Sequence, residues 1–75
     1  MKNKNISGKK CISILCKDFG FEIKRQKGSH IILLKYTPTK IGTVVPNHKE
    51  IKSGTLKGIL KLAKVDENEF WSKLK

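Results

Sequence analysis

The chain predicts an α+β fold of order α-β-β-β-α, with a three-stranded antiparallel sheet, helices on one face of it and a short C-terminal helix. Two observations carry this. Helical periodicity at both ends brackets three short strand-like runs, and the links between those runs are short enough only for hairpins, which makes the strands a meander. The 75 residues leave room for one small domain and no second core.

Residues 1–6 are polar, charged and without periodicity, and are expected to be frayed. Ser7 is placed to cap a helix running to about Asp18. Ile12, Leu15, Cys16 and Phe19 follow the i, i+3, i+4, i+7 spacing of one buried face, and Gly20 ends the helix. Phe21 to Gln26 alternates like a strand, with Phe21, Ile23 and Arg25 on one side and Glu22, Lys24 and Gln26 on the other. Gly28 supplies the turn into a second strand, His30 to Tyr36. Thr37-Pro38-Thr39-Lys40 reads as the next turn. A third strand, Ile41 to Val45, closes at Pro46. Asn47 to Lys52 is a polar connector.

Ser53 opens a second helix with Leu56, Ile59, Leu60 and Ala63 at core spacing, and with Lys57, Lys61 and Lys64 on the opposite side. Asp66 and Glu69 form a capping-box-like pair for a short third helix. Val65 and Phe70 occupy its hydrophobic-staple positions, and Trp71 and Leu74 are set to dock it. Helices gathered on one side of an antiparallel sheet are a two-layer arrangement.

The second strand is apolar on both parities. His30, Ile32, Leu34 and Tyr36 share one side, and Ile31, Leu33 and Lys35 share the other. A two-layer domain covers only one face of its sheet. The remaining apolar set predicts an interface, either with a partner protein or with a second copy as a homodimer.

Seventeen Lys and Arg stand against six Asp and Glu, a formal net charge of +11. So positive a field on so short a chain draws polyanions, which suggests nucleic acid, anionic membrane or an acidic protein as partner. A membrane role is disfavoured. No run reaches the roughly 18–20 apolar residues of a spanning helix, and no helix has an apolar face free of core duty opposite its lysines. The N-terminus lacks the apolar stretch of a secretory signal, so a cytoplasmic protein is expected. Cys11 and Cys16, five apart on one helix, point about 140° away from each other. That disfavours a disulfide, and the spacing suits no zinc site. They read as small hydrophobes in a reducing compartment.

The run Arg25-Gln26-Lys27-Gly28-Ser29-His30 is the most chemically suggestive segment. It delivers a histidine, the side chain that exchanges protons nearest neutrality, into a turn crowded by Lys24, Arg25 and Lys27. Gly28 lets the backbone approach a ligand closely, and exposed N–H groups beside these cations suit a phosphate. Lys57, Lys61 and Lys64 at i, i+4, i+7 repel one another, which a phosphate backbone would relieve. Thr55 lies in the first helical turn, where free N–H groups suit phosphate. His48 follows Val45-Pro46-Asn47 and is placed to contact RNA or to assist His30. The chain has no carboxylate pair, no Walker-type loop and no metal-ligand cluster. Hydrolysis would therefore be acid–base work without metal or other cofactor.

Three motifs coincide in order: Arg25-Gln26-Lys27-Gly28-Ser29-His30, then Val45-Pro46-Asn47-His48, then Gly54-Thr55-Leu56-Lys57-Gly58-Ile59-Leu60-Lys61-Leu62-Ala63. Together they resemble the HicA toxin family of toxin–antitoxin systems, over about Ser7 to Leu74. The resemblance implies a double-stranded-RNA-binding-domain-like fold. It also implies an mRNA interferase, an endoribonuclease cleaving mRNA until a HicB-like antitoxin covers it, with the catalytic histidine at His30 and its presenting turn at Gly28 and Ser29. Two departures stand out. Ile31 occupies a position where many members carry a second histidine, and Ala63-Lys64 closes the helix motif where a glycine is common. The competing expectation from the residues is a non-catalytic module of the same fold that reads double-stranded RNA by its shape and 2′-hydroxyls.

Overall fold

Ser7 caps the first helix as predicted. Its Oγ accepts a hydrogen bond from the Lys10 N–H at 3.0 Å, capping helix α1 (Gly8–Asp18). The computed structural model describes residues 6–37 and 39–74. The first five residues of the expected frayed segment and Pro38 of the expected turn lie outside the described residues. Gly20, at φ +80°, follows α1 and turns the chain into strand β1 (Glu22–Lys27). Strands β2 (His30–Lys35) and β3 (Ile41–Pro46) complete an antiparallel sheet of order β1-β2-β3. Helix α2 (Ser53–Ala63) and the short helix α3 (Glu67–Ser72) follow, giving the α-β-β-β-α layout with its terminal helix.

One hydrophobic cluster lies between sheet and helices. Leu33 and Val45 come from the sheet, Leu15 from α1, Leu56 and Leu60 from α2 and Phe70 from α3. The helix layer sits mainly over β3, and every β1 residue is exposed. In α2 the predicted stripe Leu56, Ile59, Leu60 and Ala63 is buried throughout. The Thr43 hydroxyl, buried at the sheet–helix boundary, donates to the Ile59 carbonyl at 2.9 Å, so no polar atom is stranded there. Asp66 caps α3 by accepting from the Glu69 N–H at 3.1 Å. Phe70, wholly buried, anchors that helix, with Val65, Trp71 and Leu74 partly buried against the same cluster. Among the described residues no helix is long and apolar enough to cross a membrane.

Several expectations need correction. The buried face of α1 is turned relative to the predicted one. Cys11, Ile12, Ile14 and Leu15 are buried, and Gly8 with them, whereas Cys16 and Phe19 only flank the core. The reason is tertiary: Gly8 packs directly on the backbone of residues 46–48. Ile6 is not frayed. It is buried and bridged to Ile51, whose N–H donates to the Ile6 carbonyl at 2.7 Å. The connector from Asn47 to Lys52 therefore contains a core residue, Ile51, amid its polar neighbours.

The largest correction concerns β1. Ile23 pairs with Leu33, but Arg25 pairs with Ile32, so the register shifts by one residue at Lys24. A bulge of this kind reverses which face the following side chains occupy. Ile23 and Arg25 therefore do not share a face. Beyond the bulge, Arg25 opposite Ile32 and Lys27 opposite His30 lie on the uncovered side of the sheet.

Candidate nucleic-acid interface

The parity of β2 fixes where His30 points. Ile31 and Leu33 are buried beneath the helices, so His30, Ile32 and Leu34 belong to the open face. On β3 the same face carries Pro46 opposite His30, exposed Val44 opposite Ile32 and Gly42 opposite Leu34. His30 is exposed, and among the described residues no hydrogen bond or ion pair engages its imidazole. Both ring nitrogens are thus available to a ligand. The turn that presents it rests on Gly28 at φ +61°, a left-handed conformation that glycine adopts freely, and the Gln26 side-chain amide braces the turn by donating to the Gly28 carbonyl at 2.9 Å.

A second loop is tied to this turn. The Asn47 N–H donates to the Ser29 carbonyl at 2.6 Å, and the Gly8 N–H donates to the His48 carbonyl at 2.8 Å. The turn before His30, the loop bearing His48 and the start of α1 thus meet at one end of the molecule. A shallow cleft of about 260 Å³ there is lined by Ser7, Lys9, Asn47, His48 and Lys49. The structure therefore brings together Lys24, Arg25, Lys27, Gly28, Ser29 and His30 on one hairpin, with His48 adjoining. Lys9 and Lys49 were not anticipated: Lys49 simply follows His48 in a polar loop, and Lys9 is linked to it only by the closure of α1 on that loop.

Thr55, Lys57 and Lys61 on α2 and Lys64 at its C-cap lie apart from this hairpin, all exposed, with Thr55 on a different flank from the lysines. At 100° per residue the three lysines run along a flank roughly 120° from the middle of the buried stripe, rather than directly opposite it. The N-cap residue of α2 is Lys52, which makes no side-chain cap, and the first turn holds no acidic residue. The first turn itself supplies no carboxylate to the positive end of this helix, an arrangement suited to an anion. Lys64 adopts φ +58°, the left-handed conformation a helix-ending glycine would take, at the position where the motif resemblance leads one to expect glycine.

The thiols lie apart from these groups. Cys11 is buried in the core, and desolvation pushes its thiol from the ordinary 9.0 up to about 12. Cys16 is free and partly buried. Its pKa is raised by desolvation and then by the negative charge of Glu22. Among the described residues no three His, Cys, Asp or Glu side chains are grouped as metal ligands would be.

Layout and site together define a class: a small basic α+β domain of double-stranded-RNA-binding-domain-like architecture, with a histidine set among cations on its uncovered sheet face. Residues 8–65 match the family model of the HicA toxin of bacterial toxin–antitoxin systems. The chain belongs to the HicA toxin family, whose members are paired with an antitoxin. The match ends before α3. No curated protein and no solved structure gives a match.

Proposed function

We propose that this toxin is an mRNA interferase, a metal-independent endoribonuclease with His30 as its catalytic residue. The observation that carries the reading is the bulge at Lys24, which moves Arg25 and Lys27 onto the face of the exposed, unengaged His30. The imidazole would take the proton of a ribose 2′-hydroxyl as general base, or give one to the leaving 5′-oxygen as general acid. Attack of the 2′-oxygen on the adjacent phosphorus forms the new P–O bond. The bond to the 5′-oxygen breaks, leaving a cyclic phosphate on one fragment and a 5′-hydroxyl on the other. Arg25 and Lys27 would stabilise the additional negative charge of the transition state. His30 cannot serve both proton steps at once; His48, a lysine or water supplies the other.

The remaining basic residues would hold the strand. The Gly28–Ser29 backbone would meet phosphate beside His30 and Lys24 further along β1, while Lys57, Lys61 and Lys64 offer a second phosphate track along one flank of α2 and Thr55 a contact at its first turn. A protein acting on mRNA in this way works in the cytoplasm.

The open sheet face is assigned to a HicB-like antitoxin. Ile32, Leu34 and Val44 flank His30, so a partner burying them would also cover the catalytic group. A homodimer through the same face is the competing occupant, opposed by the self-repulsion of two chains of charge +11. Sedimentation at high protein concentration separates the two: a monomer leaves the face to the antitoxin.

The decisive experiment is incubation of RNA with the purified protein in EDTA, beside His30→Ala. Cleavage by the wild type and at least a hundredfold loss in the variant are expected. Intact RNA with salt-sensitive binding would replace this reading by the non-catalytic double-stranded-RNA-binding module. Cleavage that survives in His30→Ala would remove His30 from the mechanism.

A further inference from the structure

The bulge at Lys24 redirects Arg25. Beside it lies a cleft of about 230 Å³ lined by Glu22, Ile23 and Lys24 of β1, Leu34 of β2 and Tyr36 just beyond the end of β2. The cleft includes two of the chain's exposed large hydrophobic side chains, Tyr36 at 50% and Ile23 at 58%. Leu34 and its register partner Glu22 belong to the open face, the face of His30.

We infer that this cleft is a base-binding subsite, holding one unpaired nucleobase of an RNA strand whose scissile phosphate lies at His30. The inference rests on the RNA-cleaving reading and specifies its substrate. Three features select a base over other occupants. An exposed tyrosine offers a flat face for stacking, which any nucleobase can use. Glu22 contributes a carboxylate, which repels phosphate but accepts hydrogen bonds from an exocyclic amino group, such as N4 of cytosine. Between the cleft and His30 run Arg25 and Lys27, both on the same face, so a strand anchored in the cleft has its phosphates led to the histidine by cations. The same cations make a nucleic acid the fitting occupant rather than an uncharged protein surface.

The separation sets the scale. Tyr36 lies six residues along the strand from His30, about 20 Å at ~3.3 Å per residue. That corresponds to about six nucleotides at the ~3.4 Å spacing of a stacked strand, and fewer if the strand is extended. The contacted base is therefore remote from the cleaved bond, and it must be unpaired.

The test measures binding rather than cleavage, on a His30→Ala background. Single-stranded ten-nucleotide oligocytidylate and oligouridylate are titrated by fluorescence anisotropy, beside an RNA duplex of equal length. Oligocytidylate is expected to bind more tightly than oligouridylate. Tyr36→Ala should weaken single-strand binding roughly tenfold, Tyr36→Phe should restore it, and Glu22→Gln should narrow the cytidine preference. Equal binding of the two oligonucleotides, or an equal loss on the duplex, would overturn the base subsite. Failure of the wild type to cleave RNA is a separate result, which removes the nuclease reading while leaving these binding curves to be judged on their own.

Discussion

The Asn47 N–H and the Ser29 carbonyl meet at 2.6 Å, and this single backbone bond joins the turn before His30 to the loop that carries His48. The two residues are far apart in sequence. Their union depends on the pairing of His30 with Pro46, which brings the ends of β2 and β3 into register. The same loop is clamped from its other side by Gly8 at the start of α1. The histidine-bearing end of the molecule is thus held from three elements at once.

Gly8 should tolerate no side chain. A Cβ there would lie 3.0 Å from the Asn47 Cα and 3.1 Å from the His48 nitrogen, and closer still to the Pro46 carbonyl oxygen. These are backbone atoms and cannot swing aside. Gly8→Ala is expected to cost about 1–3 kcal/mol, lowering Tm by roughly 5–20 °C in a thermal melt. An unchanged Tm would show that α1 does not seat on this loop as described.

Lys64 supplies the opposite case. It holds a left-handed backbone at the end of α2, which costs a residue with a side chain about 1–2 kcal/mol. Lys64→Gly should therefore raise Tm by several degrees. Under the proposed function it should also weaken RNA binding, since a cation is lost. Calorimetry and a binding titration on one sample would read both; a fall in Tm contradicts the first half.

The lysines of α2 make a quantitative claim. If Lys57 and Lys61 each neutralise a phosphate, every Lys→Ala change on a His30→Ala background reduces the slope of log affinity against log salt by about 0.7–0.9. Affinity should fall alike for all sequences. A slope unchanged in the double lysine variant would confine the RNA track to the β1–β2 hairpin.

Cys11 predicts a pH effect. Burial raises its pKa from 9.0 to about 12 in the folded chain. The folded state thus keeps a proton that the unfolded state releases. The associated stability is complete below about pH 9 and declines between about pH 9 and 12, at up to ~1.4 kcal/mol per pH unit. Urea denaturation of wild type and Cys11→Ala between pH 7 and 10.5 should show the steeper decline in the wild type. Parallel curves would mean that the thiol is not desolvated.

What could be read from the residues was local. The Ser7 and Asp66 caps act within three residues of themselves, so their chemistry announces them. The core stripe of α2 and the parity that puts His30 beside Ile32 and Leu34 follow from the helical and strand repeats alone. The bulge at Lys24 was not legible. Phe21 to Gln26 alternates without a break, and only the pairing with β2 shows that Lys24 is extra. The burial of Ile51 was hidden because its partner, Ile6, is distant in sequence.

By itself, then, the sequence determined the order and type of the elements, their caps, the strongly basic character and the histidine in a cationic turn. Each of these depends on side chains close along the chain or on summed charge. The tertiary structure alone decided which charges accompany that histidine. Arg25 reaches its face because one residue of β1 finds no partner across the ladder, and His48 adjoins because β3 ends beside the turn. Register is set by pairing across the ladder and closure by the packing of the helices on β3, both between residues distant in sequence, and no local pattern encodes them.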